Sequence, residues 1–285
     1  MKVIAIDNLL WDIFEGGTKK AGGAGANFIY NLAQVGADAT IISAIGKDSL
    51  GNELKAVLNQ HNIQHYLQEN EYPTSTVDAN VDKSGVPHWT IHENIAWDYI
   101  LPDDRLLQLS QSADLIYFGT LTQRSETSRK TIQQMILERK LGAKTFVDVN
   151  IRQHYYSKEI LEFCINNASY LKVSDEEMPV VAKALDLPEN PNNFFAAIKD
   201  KVELFIFTKG SDGSSLYRGG EVSHHHGFEV KVKDTVGAGD SFSAAVCALA
   251  LKGLDLDTIN HFANSIASYT CQKEGGMNPI PFLIL

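Results

Sequence analysis

One stretch gathers residues that could do chemistry: Asp234-Thr235-Val236-Gly237-Ala238-Gly239-Asp240-Ser241, followed by a nearly uncharged, helix-prone run at residues 242–250. That run predicts a buried helix with Gly237, Ala238 and Gly239 at its N-terminus. Glycines there let a ligand approach the backbone closely. The unpaired N–H groups of a first turn, backed by the positive end of the helix dipole, suit an anion. Asp240 then stands beside that anion. For binding alone this is a poor choice, because a carboxylate repels what the N–H groups attract. It suits phosphoryl transfer, where one group accepts the proton of an attacking hydroxyl while N–H groups stabilise the transferred phosphoryl. The competing reading is an inert helix cap, and local physics leaves the two open.

Such a turn needs a scaffold. Short apolar, β-branched runs at residues 3–6, 40–44, 115–118, 145–149, 170–173 and 204–208 alternate with amphipathic segments. Examples are residues 49–61, with Leu50, Leu54, Val57 and Leu58 on one face, and residues 125–140, with Ile132, Met135, Ile136 and Arg139. This is the pattern of strands joined by crossover helices, so the expected fold is α/β, a mostly parallel sheet covered by helices on both faces. Residues 13–20 and 74–92 break the rhythm as hairpin-like strands, the second pair turning at Lys83-Ser84-Gly85. A small β lid over a site that excludes water is the economical reading, within one domain spanning residues 1–285.

Composition narrows the partners. A chain of 285 residues, 44% hydrophobic, can bury a substantial core, and a net charge of −10 disfavours nucleic acid and anionic membrane surfaces. The apolar start Val3-Ile4-Ala5-Ile6 is broken by Asp7, too early for a signal peptide, and no run approaches the ~20 apolar residues of a membrane span. Cys164, Cys247 and Cys271 are odd in number and set in apolar surroundings, which predicts reduced, buried thiols. These features predict a soluble cytoplasmic protein acting on a small molecule. In His224-His225-His226 only His224 and His226 would share a face and no third ligand is identifiable, so the run reads as a polar connection. Gly23-Ala24-Gly25-Ala26-Asn27 lacks the last glycine of a dinucleotide fingerprint. Gly46-Lys47 lacks a P-loop's first glycine, where Ile41 stands, and has Asp48 in place of the Ser or Thr.

The stretch at Asp234, Thr235, Gly237, Ala238, Gly239 and Asp240 resembles the signature of the ribokinase-like (PfkB-type) carbohydrate kinases. A second family motif is matched by Gly22-Gly23-Ala24-Gly25-Ala26-Asn27, Leu32-Ala33, Gly36 and residues 46–51. The resemblance runs the length of the chain. Within the family it is strongest to bacterial fructokinases, through residues 10–14, 91–98 and 148–153.

The resemblance implies a ribokinase-like fold and transfer of the ATP γ-phosphate to a sugar hydroxyl. It makes Asp240 the base, with Gly237, Ala238, Gly239 and Arg152 stabilising the phosphoryl. Asp12, at the end of the first strand, Gly22, Gly23 and Asn27, opening a helix, become sugar contacts; read alone they are turn chemistry and an N-cap. Asn150, Thr208, Gly210, Gly213 and Asn264, with the Gly275-Gly276 turn, become nucleotide contacts. Glu177 would hold Mg²⁺ through water, and backbone carbonyls around Asp234 a monovalent cation such as K⁺. Ser174 stands where the family usually has Asn, which implies a modest change near the metal rather than loss of activity. Trp97, Phe14 and Trp89 are candidates to cover a sugar face, with core or hairpin roles equally open. Fructose, phosphorylated at its 6-hydroxyl, is the implied substrate. Ribose, 2-keto-3-deoxygluconate or a fructosamine are the alternatives, as are a non-catalytic sugar sensor and, more remotely, a hydride-transfer enzyme. Pairing of two chains through the lid edges is a further expectation.

Overall fold

A computed structural model describes residues 1–14, 16–81 and 87–281, with the side chains of 79–81 and 87–89 left aside. The chain opens with β1 (Lys2–Ile6), β2 (Leu10–Ile13), β3 (Lys19–Gly22) and α1 (Ala24–Gln34), then β4 (Asp38–Gly46), α2 (Ser49–Gln60) and β5 (Gln64–Asn70). After β6 (Thr76–Val81) and β7 (Pro87–Ile91) come α3 (Asp104–Ser112), β8 (Leu115–Gly119), α4 (Glu126–Leu137), β9 (Lys144–Asp148), α5 (Lys158–Asn166) and β10 (Tyr170–Ser174). It closes with α6 (Met178–Leu185), α7 (Pro191–Ile198), β11 (Leu204–Thr208), β12 (Ser214–Arg218), β13 (Glu221–His225), α8 (Ala238–Leu251) and α9 (Leu256–Thr270).

The main sheet runs β13-β12-β11-β10-β9-β8-β1-β4-β5, parallel except where β12 and β13 fold back. All six expected strands are in it. Period-2 alternation splits their side chains between two cores. Along β1, Ile4 and Ile6 join the face covered by α3 to α7, and Val3 and Ala5 the face covered by α1, α2, α8 and α9. Expectation missed β5, β12 and β13, whose polar residues hide a strand: Gln64–Asn70 is intermediate or exposed throughout, with only Tyr66 and Leu67 apolar.

The lid is a separate sheet in the order β3-β2-β6-β7. Its first hairpin is longer than residues 13–20, pairing Leu10 with Gly22 through Ile13 with Lys19. Asp12 therefore lies in the lid, in β2, and not at the end of the first strand, which stops at Ile6. Lys83-Ser84-Gly85 falls outside the described residues. Trp97 is fully buried in the main core, so it covers no sugar; the Trp89 side chain is not among those described. Cys164 and Cys247 are buried as expected, whereas Cys271 is only half so. His224 bonds the Ser215 hydroxyl across β12 and β13, at 2.8 Å. Among the described residues no helix is long and apolar enough to cross a membrane.

Candidate active site

Open parallel sheets present ligand sites beyond the carboxyl ends of their strands, where strand order reverses. That reversal falls between β1 and β8, and functional side chains collect there. Asp7 and Asn8 leave β1, Asp148 ends β9, Lys172 lies near the end of β10, and α8 points its first turn at them.

Gly237 is the N-cap of α8, with φ of 77°, and a Cβ on it would fall 2.3 Å from Gly276 Cα. Only glycine meets both conditions. At Gly239 a Cβ would meet Lys172 Nζ at 3.2 Å, so the ammonium lies directly beneath the turn. Asp240, the third residue of α8, does not act as the cap: its Oδ2 accepts a hydrogen bond from Asn27 Nδ2 of α1, at 2.8 Å. The residue is half-buried. Loss of solvent raises its carboxyl to about 6, against the opposing pull of the Asn27 bond, Lys172 and Arg152. A carboxylate near 6 is a serviceable base at neutral pH.

Of the residues expected to meet a sugar, Asn27 sits one turn inside α1 and does not cap it. The N-cap is Gly23, at φ of 113°, and Asn8 Oδ1 accepts from Ala24 N at 3.2 Å. Asn27 Oδ1 is buried without a partner among the described residues, on the side chain that also bonds Asp240. Asp12 overhangs Gly22, where a Cβ would touch its Oδ2 at 2.7 Å. Burial, then Asp234 and Asp240, raise the Asp12 carboxyl to about 6. Asp12, Gly22, Gly23, Asn27 and Asp240 thus form one neighbourhood.

Of the residues expected near a nucleotide and its phosphates, Asn150 holds a left-handed φ of 45° just past β9, and Arg152 is exposed. Glu177 fastens that loop: its Oε1 accepts from Ile151 N at 2.8 Å and its Oε2 from Ser174 N at 2.9 Å. Thr208 ends β11 beside Ser174. Gly210, at φ of 54°, and Gly213 shape the next turn, and a Cβ on Gly213 would strike the His225 carbonyl at 2.0 Å. Asn264 is drawn elsewhere: its side chain is buried and donates to Ser214 Oγ and Asn260, locking α9 to β12. The Gly275-Gly276 turn rests on Asn27 and Gly237. Asp234 ties it down, accepting from Gly275 N at 2.8 Å and Val236 N at 3.0 Å, with Lys20 of the lid at 3.4 Å.

Sequence reasoning passed over Asn8, Asp7 and the pair Lys172–Asp148, joined at 2.6 Å. Asp7 is buried, accepts from Thr122 and Asn8, and is raised to about 6 by desolvation. A signal existed for the pair, since Lys172 interrupts the apolar run Tyr170-Leu171-Lys172-Val173. A lone lysine in an interior strand demands a buried counter-charge.

The profile described as "pfkB family carbohydrate kinase" matches residues 14–283. An uncharacterized sugar kinase of Pyrococcus horikoshii, PH1459, is 28% identical over 267 residues, covering 90% of this chain and 82% of its own. Its crystal structure superposes with a TM-score of 0.84 at 25% identity, covering 97% of this chain and 94% of that one. A second structure of it, in complex with ATP, gives 0.82 at 24%, over 96% and 94%. A fructokinase of Salmonella typhimurium is 26% identical, over 92% of this chain and 89% of its own. An ATP-dependent 6-phosphofructokinase of Thermoanaerobacterium thermosaccharolyticum is also 26% identical, over 95% and 85%. With the glycine turn, Asp240 and the lid sheet in place, the chain belongs to the pfkB family of carbohydrate kinases.

Proposed function

We propose that the protein transfers the γ-phosphoryl group of ATP to the 6-hydroxyl of fructose. The observation that carries the reading is Asp240, in the first turn of α8, held by Asn27 among the hydroxyl-binding groups Asp12 and Asn27 Oδ1. In this reading the sugar hydroxyl gives its proton to Asp240 while its oxygen bonds to the γ-phosphorus. The bond from that phosphorus to the bridging oxygen breaks, and ADP leaves with the electron pair. The N–H groups of the Gly237–Gly239 turn and the Arg152 guanidinium stabilise the transferred charge.

Mg²⁺ suits the oxygen chemistry of Glu177. Each of its carboxylate oxygens spends one lone pair on a backbone N–H and keeps another for a metal-bound water. Bound there with ATP, the ion would screen the phosphate charge. The backbone carbonyls around Asp234 are the proposed seat of a monovalent cation. Lid edges β3 and β7 are the proposed contact between two copies, which light scattering would detect.

Sugar identity is the finer part, since relatives named for fructose and for fructose 6-phosphate stand at the same identity. A coupled assay of ATP turnover across fructose, fructose 6-phosphate, ribose, 2-keto-3-deoxygluconate and a fructosamine tests it. The highest kcat/KM is expected with fructose. A higher value with another sugar reassigns the substrate, and no sugar-dependent turnover with any would make the protein a sensor.

A further inference from the structure

Lys172 carries a positive charge into the interior of the sheet, with its side chain 10% exposed and that of Asp148 at 4%. A buried pair of this kind rarely adds stability over an apolar one, because desolvation of both ions offsets their attraction. Its placement is what distinguishes it. Lys172 Nζ bonds Asp148 Oδ2 at 2.6 Å, and Ser243 Oγ of α8 lies 3.3 Å from the same oxygen and 2.9 Å from the Gly239 carbonyl, its single proton going to one of the two or shared between them. The ammonium therefore adjoins the glycine turn by two routes: directly beside Gly239, where a Cβ would lie 3.2 Å from it, and through Asp148 and Ser243.

We propose that Lys172 is a positioning residue, a fixed cation that seats the Gly237–Gly239 turn and keeps Asp240 in its basic, ionised form. This rests on the reading of Asp240 as the base. Six titratable groups face Asp240 from the elements around it: Asp7 beyond β1, Asp12 in β2, Tyr117 in β8, Asp148, Arg152 and Lys172. Asp7, Asp12 and Asp148 are carboxylic acids, Tyr117 is kept neutral by burial, and an exposed Arg152 is a weaker counterweight than a buried ammonium. Burial opposes charge on Lys172, but Asp148, Asp240 and Glu177 outweigh it and hold the ammonium above its ordinary range. It stays charged wherever Asp240 titrates.

The test is the pH dependence of kcat/KM for the sugar in Lys172→Gln and Lys172→Arg. Loss of the charge in Lys172→Gln should move the acid limb upward by roughly one pH unit or more, and Lys172→Arg should restore it. A merely structural lysine would lower the rate equally at all pH. A folded Lys172→Gln protein with an unmoved limb overturns the proposal. If that variant does not fold, Asp148→Asn tests it from the other side: with one acid fewer facing Asp240 the limb should move down, and an unmoved limb overturns the proposal. Asp240→Asn separates the two readings. Near wild-type turnover in Asp240→Asn sinks the base itself; collapse of turnover there, with an unmoved limb in Lys172→Gln, sinks only Lys172.

Discussion

Among the described residues, two buried ion pairs are of opposite character. Arg124 is clamped: its Nε and Nη2 meet the two oxygens of Asp98, each at 2.8 Å, and its guanidinium lies over Trp97 at 4.2 Å and Tyr155 at 4.6 Å. Asp98 also accepts from Ile95 N, fixing the short helical turn after β7. Lys172, by contrast, is a compact point charge with one carboxylate partner, placed beside the glycine turn that opens α8, the proposed seat of the phosphoryl group. A planar fork sandwiched between rings is suited to holding structure, and an ammonium with protons to spare is suited to setting a local field. Burial alone does not distinguish architecture from chemistry; what lies above the charge does.

The comparison is tested hardest at Asp240, the group the lysine is argued to serve. Asp240→Asn should lower kcat by about 10²- to 10⁴-fold, with sugar affinity by calorimetry changed little. The amide keeps the shape and the Asn27 contact but cannot take a proton. A variant of near wild-type rate would leave Lys172 nothing to support.

On the architectural side, Asp98→Asn removes one partner of the clamped pair and leaves a buried guanidinium without its charge. Urea unfolding should show a loss of about 3–5 kcal/mol, with kcat per folded molecule unchanged. If activity falls while stability holds, the division between the two pairs fails.

Sequence made the scaffold legible wherever burial was complete. The six expected strands are apolar runs largely buried on both faces, and α2 and α4 show their apolar stripes directly. β5 and β13 face solvent on one side at the sheet edges, so their polar residues masked them. The glycine turn and Asp240 were legible because their chemistry is local. The Asn27–Asp240 contact spans 213 residues, and spacing along a chain carries no trace of it. Asn264 shows the same limit: its type suited a ligand, while its partners Ser214 and Asn260 were invisible.

The pH dependence separates stability from activity at one residue. Asp240 is raised from 3.8 to about 6 on folding. Between those values the folded protein holds the proton and the unfolded chain has lost it, so this group's contribution to stability falls as pH rises through the window. Activity runs the other way. Only the ionised carboxylate accepts a proton, so kcat/KM should drop about tenfold per unit below about 6, as rate profiles and melts across pH would show.

The smallest effect is expected at Ser174, where the family's usual Asn is missing. Ser174 Oγ accepts from Glu177 N at 3.3 Å while Glu177 Oε2 accepts from Ser174 N at 2.9 Å, a reciprocal capping box at the turn into α6. Asn offers the same acceptor, so Ser174→Asn should leave stability within about 0.5 kcal/mol and turnover within a few-fold. Ser174→Ala removes the acceptor, and a loss of about 1 kcal/mol is expected. With it, Glu177 loses one side of the box that aims its carboxylate, so the Mg²⁺ concentration for half-maximal turnover should rise in Ser174→Ala and not in Ser174→Asn. An equal rise in both would mean that the hydroxyl serves the ion rather than the turn.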